Sequence, residues 1–328
     1  MGTYPELKDL PTNVLSAAER IRGHVRCTPF EYSRSLSELT EAKVWLKLEN
    51  QQYTGSFKVR GAMNKLLSLN SIEREQGVVA ASTGNHGAAV AYGCQKLNIP
   101  GLVYVPEDTS DAKLENMRNY LADIRLHGLD CVDSEAEARA VAKERAMVYL
   151  SPYNDPDVIA GQGTVGVEME AQCDGLDVLI VAVGGGGLIG GISSYLKSVW
   201  SDLHVIGCSP ENSPVMIKSL ASGEVLVLES LPTLSDGTAG GVEPDSLTFP
   251  ICQSVIDESV LVTEEEIRDG VTLLMEKHHQ LVEGAAGTAM AALMIKKSEL
   301  KGQRVGLVVC GGNISIKTLQ EILCTSSD

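Results

Sequence analysis

Aromatic side chains are scarce: Phe, Trp and Tyr together make up 4% of the chain. A stacking platform for single-stranded nucleic acid needs several of them, so that class of function has little to stand on. Positive charge is scarce too, with 27 Lys and Arg against 43 Asp and Glu and a formal net charge of −16. Nucleic acid and anionic membrane surfaces both call for basic partners, so neither is expected here. There is no run of 18 apolar residues, so no membrane-spanning helix is expected. The start, Met1-Gly2-Thr3-Tyr4-Pro5-Glu6, lacks the basic-then-apolar pattern of a secretory signal, and the end, Cys324 to Asp328, is no prenylation box. None of the eight cysteines forms a CxxC pair, which removes support for a zinc knuckle or a thioredoxin-type site. Dispersed thiols in a chain this large read as reduced cysteines, and a cytoplasmic location is the expectation.

What the chain does have is glycine, 32 copies in 328 residues, and 44% hydrophobic residues, enough for two compact lobes or one large α/β domain. Apolar runs of strand length alternate with helical stretches. Strands are expected at Val44–Leu48, Val78–Ala81, Leu102–Val105, Val178–Val183, Val205–Cys208 and Val305–Cys310. Helices are expected at Phe57–Leu67, Asn85–Leu97, Ala112–Leu121, Glu135–Met147, Asn212–Leu220, Glu264–Glu276, Gly284–Ile295 and Ile314–Leu323, with another opening near Leu188. Such alternation implies parallel sheets with helices on both faces, and ligands at the carboxyl ends of the strands. Segment 222–250, rich in Gly and Pro, reads as a long irregular loop, a kind that often carries function.

Four segments carry chemistry. Gly184-Gly185-Gly186-Gly187 follows a buried strand and opens a helix, an arrangement in which backbone N–H groups can surround an anion. It competes with a plain tight turn and with a dinucleotide fingerprint, since Gly185, Gly187 and Gly190 fit GxGxxG and Glu211 lies roughly 20 residues on. A P-loop is excluded, because no Gly-Lys-Ser/Thr follows. Lys58, in Ser56-Phe57-Lys58, sits at a helix start, where a cation is electrostatically misplaced. It is either a solvated surface lysine or an amine kept for Schiff-base chemistry. Ser82-Thr83-Gly84-Asn85-His86-Gly87 suits a carboxylate at a helix N-terminus or is a simple cap. Cys310, ahead of Gly311-Gly312-Asn313, ends a strand and is by itself an inert core thiol.

Their order decides the matter. Cys27-Thr28-Pro29, Leu46-Lys47-Leu48-Glu49-Asn50, Ser56 through Ala62, Ser82 through Gly87, Ile159 through Thr164, Gly184 through Leu188, Glu283-Gly284-Ala285-Ala286-Gly287 and Cys310 through Asn313 follow one another along nearly the whole chain. In this the sequence resembles the fold-type II enzymes that use pyridoxal 5′-phosphate (PLP), within the group of threonine and serine ammonia-lyases (dehydratases) and serine racemases. The resemblance implies two lobes, each with a mostly parallel twisted sheet flanked by helices. It also implies a large PLP-binding domain of residues 1–75 and 152–328, and a small domain of residues 76–151 that closes over the active site.

It further implies that Lys58 is catalytic and binds PLP covalently. Phe57 lies against the pyridine ring, Asn85 bonds its 3-hydroxyl, Gly184, Gly185, Gly186, Gly187 and Leu188 cradle the phosphate, and Cys310 sits beside the ring nitrogen. Ser82, Thr83, Gly84, Asn85 and His86 receive the substrate carboxylate. The implied reaction is elimination of water from a small β-hydroxy amino acid of the L-threonine or L-serine type, in a cytoplasmic homodimer. The alternatives are serine racemisation and dehydration of another substrate such as threo-3-hydroxyaspartate or phenylserine. Two departures bear on this. Thr83 stands where serine racemases carry a second serine, which disfavours racemisation. Ser209 and Val215 stand where those racemases place two acidic cation ligands, so no metal is expected. The chain also ends soon after its last helix, so no C-terminal regulatory domain is expected.

Overall fold

A computed structural model describes residues 9–109, 111–120 and 123–324. Among these, ten strands build two sheets. The larger contains β1 (Phe30–Tyr32), β2 (Lys43–Leu48), β7 (Val178–Ala182), β8 (His204–Pro210), β9 (Glu258–Val262) and β10 (Arg304–Val309), in the order β1-β2-β10-β7-β8-β9. Only the β1–β2 pairing is antiparallel. The smaller sheet contains β3 (Val78–Ala81), β4 (Gly101–Val105), β5 (Asp123–Leu126) and β6 (Val148–Tyr149), all parallel, in the order β5-β4-β3-β6.

Central strands are continuous apolar runs because helices cover both of their faces. Every residue of β7 is buried, as are Val305–Val309 of β10. The main core cluster spreads over the larger sheet, and two smaller clusters cover the smaller one. Helices start where a side chain can take the first free N–H groups. Asp155 accepts from the N–H groups of Asp157 and Val158, with Pro156 in the first turn, and opens helix Pro156–Gln172. Thr263 and Glu266 form a reciprocal capping box on helix Glu264–His278.

Most expected elements are present with small shifts at their ends. The helix expected over Glu135–Met147 begins earlier, at Cys131, because Asp130 caps it, and it ends at Glu144, with Ala146 at φ 52 just beyond. The helix expected over Ala112–Leu121 runs over Asp111–Arg118, and Leu121 lies outside the described residues. Helix Pro156–Gln172 is an addition, since Gly161, Gly163 and Gly166 weaken its helical pattern. Packing explains two of them: a Cβ on Gly161 would lie 2.6 Å from Gly61 Cα, and one on Gly163 would lie 2.4 Å from Val14. Strands β1, β5, β6 and β9 are also additions; β5 is mostly exposed and lacks the apolar run that marks a central strand. Residues 223–247 contain no helix or strand, and helix Thr248–Val255 begins where that irregular stretch ends.

Candidate active site

The carboxyl ends of β2, β3, β7 and β10 feed the segments that line one cleft of about 520 Å³. Four strand ends pointing the same way is what brings sequence-distant residues together here. The segment after β2 is stitched to the end of β10. Ser56 bridges Gly311, Phe57 N–H donates to Cys310 O at 3.1 Å, and Gly312 N–H donates to Gly55 O at 2.9 Å. Helix Lys58–Ser68 therefore starts beside Cys310.

Lys58 opens that helix and lines the cleft. Its Nζ donates to Pro152 O at 2.8 Å and lies 5.3 Å from the Phe57 ring centre. Burial lowers its pKa to about 8, against the attraction of Glu283 and Cys310. A surface lysine would keep its charge well above this, so the amine is prepared for chemistry at neutral pH.

Gly184–Gly187 run from the end of β7 into helix Gly187–Val199, with Gly186 at φ 84. Any side chain here would collide: a Cβ on Gly184 would lie 2.9 Å from the Thr238 backbone, and one on Gly185 would lie 2.4 Å from the Tyr153 ring. Thr248 Oγ1 donates to Gly185 O at 2.6 Å and holds the loop from behind. The loop, Leu188 and Ile189 line the cleft, so the free N–H groups of the helix start face it. Such a loop can hold an anion in the cleft that Lys58 also lines.

Asn85 begins helix Asn85–Leu97 and also lines the cleft. Its Nδ2 donates to both carboxyl oxygens of Glu283 at 2.9 Å, and its Oδ1 accepts from Asn313 Nδ2 at 2.6 Å. Cys310 is buried, its thiol pushed well above the ordinary range by burial and then by Glu283, so it is neutral. Ser82, Thr83 and Gly84 form the turn after β3, with Gly84 N–H donating to Ser82 Oγ at 3.2 Å, but they are not among the residues lining the cleft. The His86 ring turns inward, donating to Leu150 O at 2.8 Å, and burial lowers its pKa to about 3, so it is neutral and only its backbone is available to that turn. Ser209 Oγ donates to Val183 O at 2.7 Å and Val215 is packed into the core. Among the described residues no three of His, Cys, Asp and Glu are grouped to hold a metal.

Sequence reasoning missed Tyr153, Thr238 and above all Glu283, all of which line the cleft. Glu283 had a signal: an acid at the start of the apolar helix Gly284–Lys296 is out of place unless it has work there. The residues present fit PLP, with a glycine cradle for its phosphate, a lysine of lowered pKa for its aldehyde, an amide for its 3-oxygen and a neutral thiol for its ring nitrogen.

Comparison with known proteins agrees. The family model for "Pyridoxal-phosphate dependent enzyme" matches residues 21–311. An L-threonine ammonia-lyase of Thermotoga maritima is 40% identical over 311 residues, 95% of this chain and 77% of its own. The L-threonine dehydratase catabolic TdcB of Escherichia coli is 37% identical over 319 residues, 96% of this chain and 97% of its own. The crystal structure of a serine racemase from Dictyostelium discoideum superposes with a TM-score of 0.86 at 33% identity, covering 93% of this chain and 99% of its own. The chain thus belongs to the pyridoxal-phosphate dependent enzymes. Within them it is a fold-type II enzyme of the threonine and serine ammonia-lyase and serine racemase group, with PLP as its cofactor.

Proposed function

We propose that the protein eliminates water from a small β-hydroxy amino acid, L-threonine or L-serine in type, giving a 2-keto acid and ammonia. The observation that carries this is Lys58, whose amine, with a pKa of about 8, faces the glycine cradle across a cleft that also holds a neutral thiol. The relatives named for threonine ammonia-lyase and dehydratase activity support the same reaction.

PLP, when bound, withdraws electrons from the substrate Cα and so acidifies its proton. In our reading Lys58 Nζ holds the cofactor in the resting enzyme. With PLP and substrate bound, the neutral Lys58 amine would take the Cα proton. The hydroxyl then leaves Cβ and takes up that proton as water, and the released enamine hydrolyses to the keto acid and ammonia. The Gly184–Gly187 N–H groups and Leu188 would hold the phosphate, Phe57 would lie on the ring, and Asn85 and Cys310 would meet its 3-oxygen and nitrogen. Cys310, being neutral, gives the ring nitrogen no counter-ion, which moderates electron withdrawal and favours prompt loss of the β-hydroxyl. The turn Ser82–His86 receives the substrate carboxylate, and residues 76–151 act as a small domain that closes and excludes water.

Racemisation is the second reading, prompted by the Dictyostelium neighbour. It needs a proton donor on the opposite face, and the candidate position holds Thr83 in place of the second serine of the racemases. We also infer a cytoplasmic homodimer. Cysteines dispersed along the chain, with no disulfide among the described residues, support the compartment. The deciding experiment is a 2-keto acid assay with serine, threonine, threo-3-hydroxyaspartate and phenylserine in both stereochemistries, with chiral chromatography of residual substrate. D-serine forming faster than pyruvate from L-serine would overturn the elimination reading.

A further inference from the structure

Asn85, Glu283 and Cys310 come from three distant segments and stand side by side on the cleft wall, with Glu283 in the middle. Both Glu283 oxygens accept from Asn85 Nδ2 at 2.9 Å, and Oε1 lies 3.8 Å from the donating Cys310 thiol. Behind them, Asn313 Nδ2 donates to Asn85 Oδ1 at 2.6 Å and to Thr54 O at 2.8 Å, which fixes which end of the Asn85 amide faces Glu283. Glu283 is held in turn: its N–H donates to Gly311 O at 3.1 Å, and a Cβ on Gly311 would lie 2.5 Å from its Oε1. It is 3% exposed, and no ion pair within 4.0 Å joins it to a cation among the described residues.

The cofactor placement proposed above, on which this inference rests, puts the 3-oxygen of PLP at Asn85 and the ring nitrogen at Cys310. These groups bound one edge of the pyridine ring, so Glu283 lies along that edge. We propose that Glu283 is a positioning residue that works in its protonated form, joining Asn85 to Cys310 and keeping the ring edge free of negative charge. An ionised Glu283 grips one Asn85 N–H, shared between its two oxygens, by a charge-assisted bond. A protonated one turns one oxygen into a donor and holds that N–H more weakly, leaving the Asn85 amide free to turn its second N–H to the 3-oxygen. An ionised Glu283 would also favour a proton on the ring nitrogen, which a neutral thiol does not.

The titratable groups facing Glu283 are Lys58, Cys310 and Asp236. Burial pushes the Glu283 carboxyl up to about 7; Asn85, the Asn313 backbone and Cys310 pull it down, while Asp236 pushes it further up. Ligand in the cleft removes more water and, by engaging Lys58, removes the nearest positive charge. Both changes favour the protonated form.

The test uses holoenzyme and apoenzyme of the wild type, E283Q, which is neutral at every pH, and E283D, which keeps a titrating group. Three readouts are taken: the visible absorption of bound PLP between about pH 5.5 and about pH 9, the Kd for PLP added to apoenzyme, and the carboxylic-acid carbonyl band in the infrared. In the wild type, absorption should pass through one titration on the alkaline side of neutrality, and the infrared band should disappear with it. E283Q should hold PLP within about threefold of the wild type and lose both the titration and the band, whereas E283D should keep a titration at a shifted midpoint. A titration unchanged in E283Q, or no carbonyl band lost in that variant, overturns the role of Glu283. Borohydride reduction followed by mass mapping separates the two levels. An adduct away from Lys58 overturns the cofactor placement and this inference with it, whereas an adduct on Lys58 leaves the spectral titration as the test of Glu283 alone.

Discussion

Two clusters of buried ionisable groups meet on helix Lys58–Ser68, at positions 58 and 60, and physics treats them in opposite ways. Arg60 is 1% exposed and fully paired. Its Nε and Nη2 donate to Glu49 at 2.7 Å each, and its Nη1 and Nη2 donate to Glu168 at 2.7 and 2.8 Å. Lys47 completes the set, donating to Glu168 at 2.6 Å, Thr28 O at 2.7 Å and Gln172 at 3.0 Å. Two cations and two carboxylates cancel. Burial opposes charge on Glu168, but Arg60 and Lys47 outweigh it and hold the carboxyl below its ordinary range. Lys58 and Glu283 are buried without such partners, and both move toward neutrality, one down to about 8 and the other up to about 7. Burial with partners makes a fastener; burial without them makes groups that exchange protons near neutral pH.

Exchanging the two positions' fates breaks this comparison most sharply. Arg60→Met leaves Glu49 buried without its cation and Glu168 with Lys47 alone, so denaturant unfolding should show a loss of about 3–5 kcal/mol. Lys58→Ala should unfold at the wild-type denaturant concentration or above, yet lose PLP attachment and about a thousandfold or more in turnover. If Arg60→Met is stable and Lys58→Ala is not, the contrast is wrong.

The pH dependence of stability sharpens it. A Glu283 carboxyl raised from 4.5 to about 7 holds its proton more tightly in the folded chain. Its contribution is therefore complete below about pH 4.5 and is lost as pH rises to about 7, a total of about 3 kcal/mol. Glu283→Gln should then gain stability relative to the wild type when urea unfolding of apoenzyme at about pH 8 is compared with about pH 5. An equal difference at both pH values would leave the carboxyl unperturbed.

Cys310 offers a smaller perturbation. Cys310→Asp brings a second carboxyl against Glu283 and a counter-ion to the ring nitrogen, so turnover should fall by about tenfold or more, with a shifted visible spectrum. Cys310→Ser keeps a neutral donor and should stay within a few-fold. Unchanged turnover in Cys310→Asp would mean that the thiol does not face the ring. The smallest effect is expected from chelation: with the Ser209 hydroxyl used on Val183 O and Val215 in the core, EDTA should leave turnover and Tm unchanged. Activity lost to EDTA and restored by magnesium would reveal cation ligands elsewhere.

Lys58, Gly184–Gly187 and Cys310 were legible because local patterns mark their segments and the order of those segments outweighs the plain reading that each has alone. A lysine at a helix start, four glycines after an apolar run and a thiol ending a strand are oddities within a few residues, and their order along the chain ties them to one family. The strand–helix alternation was legible for the same reason, down to the ends of β3 and of helix Asn85–Leu97. Helix Pro156–Gln172 was not, because its glycines read as breakers until the helices pressed against them are known.

The sequence by itself determined the fold type and the cofactor and pointed to Lys58, all of which follow from residue types and their order. Only the tertiary structure decided that Arg60 is ion-paired and stays charged while Lys58, two residues away, has no such partner and moves toward neutrality. Only there does Glu283 stand between Asn85 and Cys310, and does the His86 ring turn away from the cleft. A pKa depends on how much water is lost and which charges lie within a few ångströms, and those neighbours include residues as distant in the chain as Glu168 from Arg60 and Glu283 from Asn85.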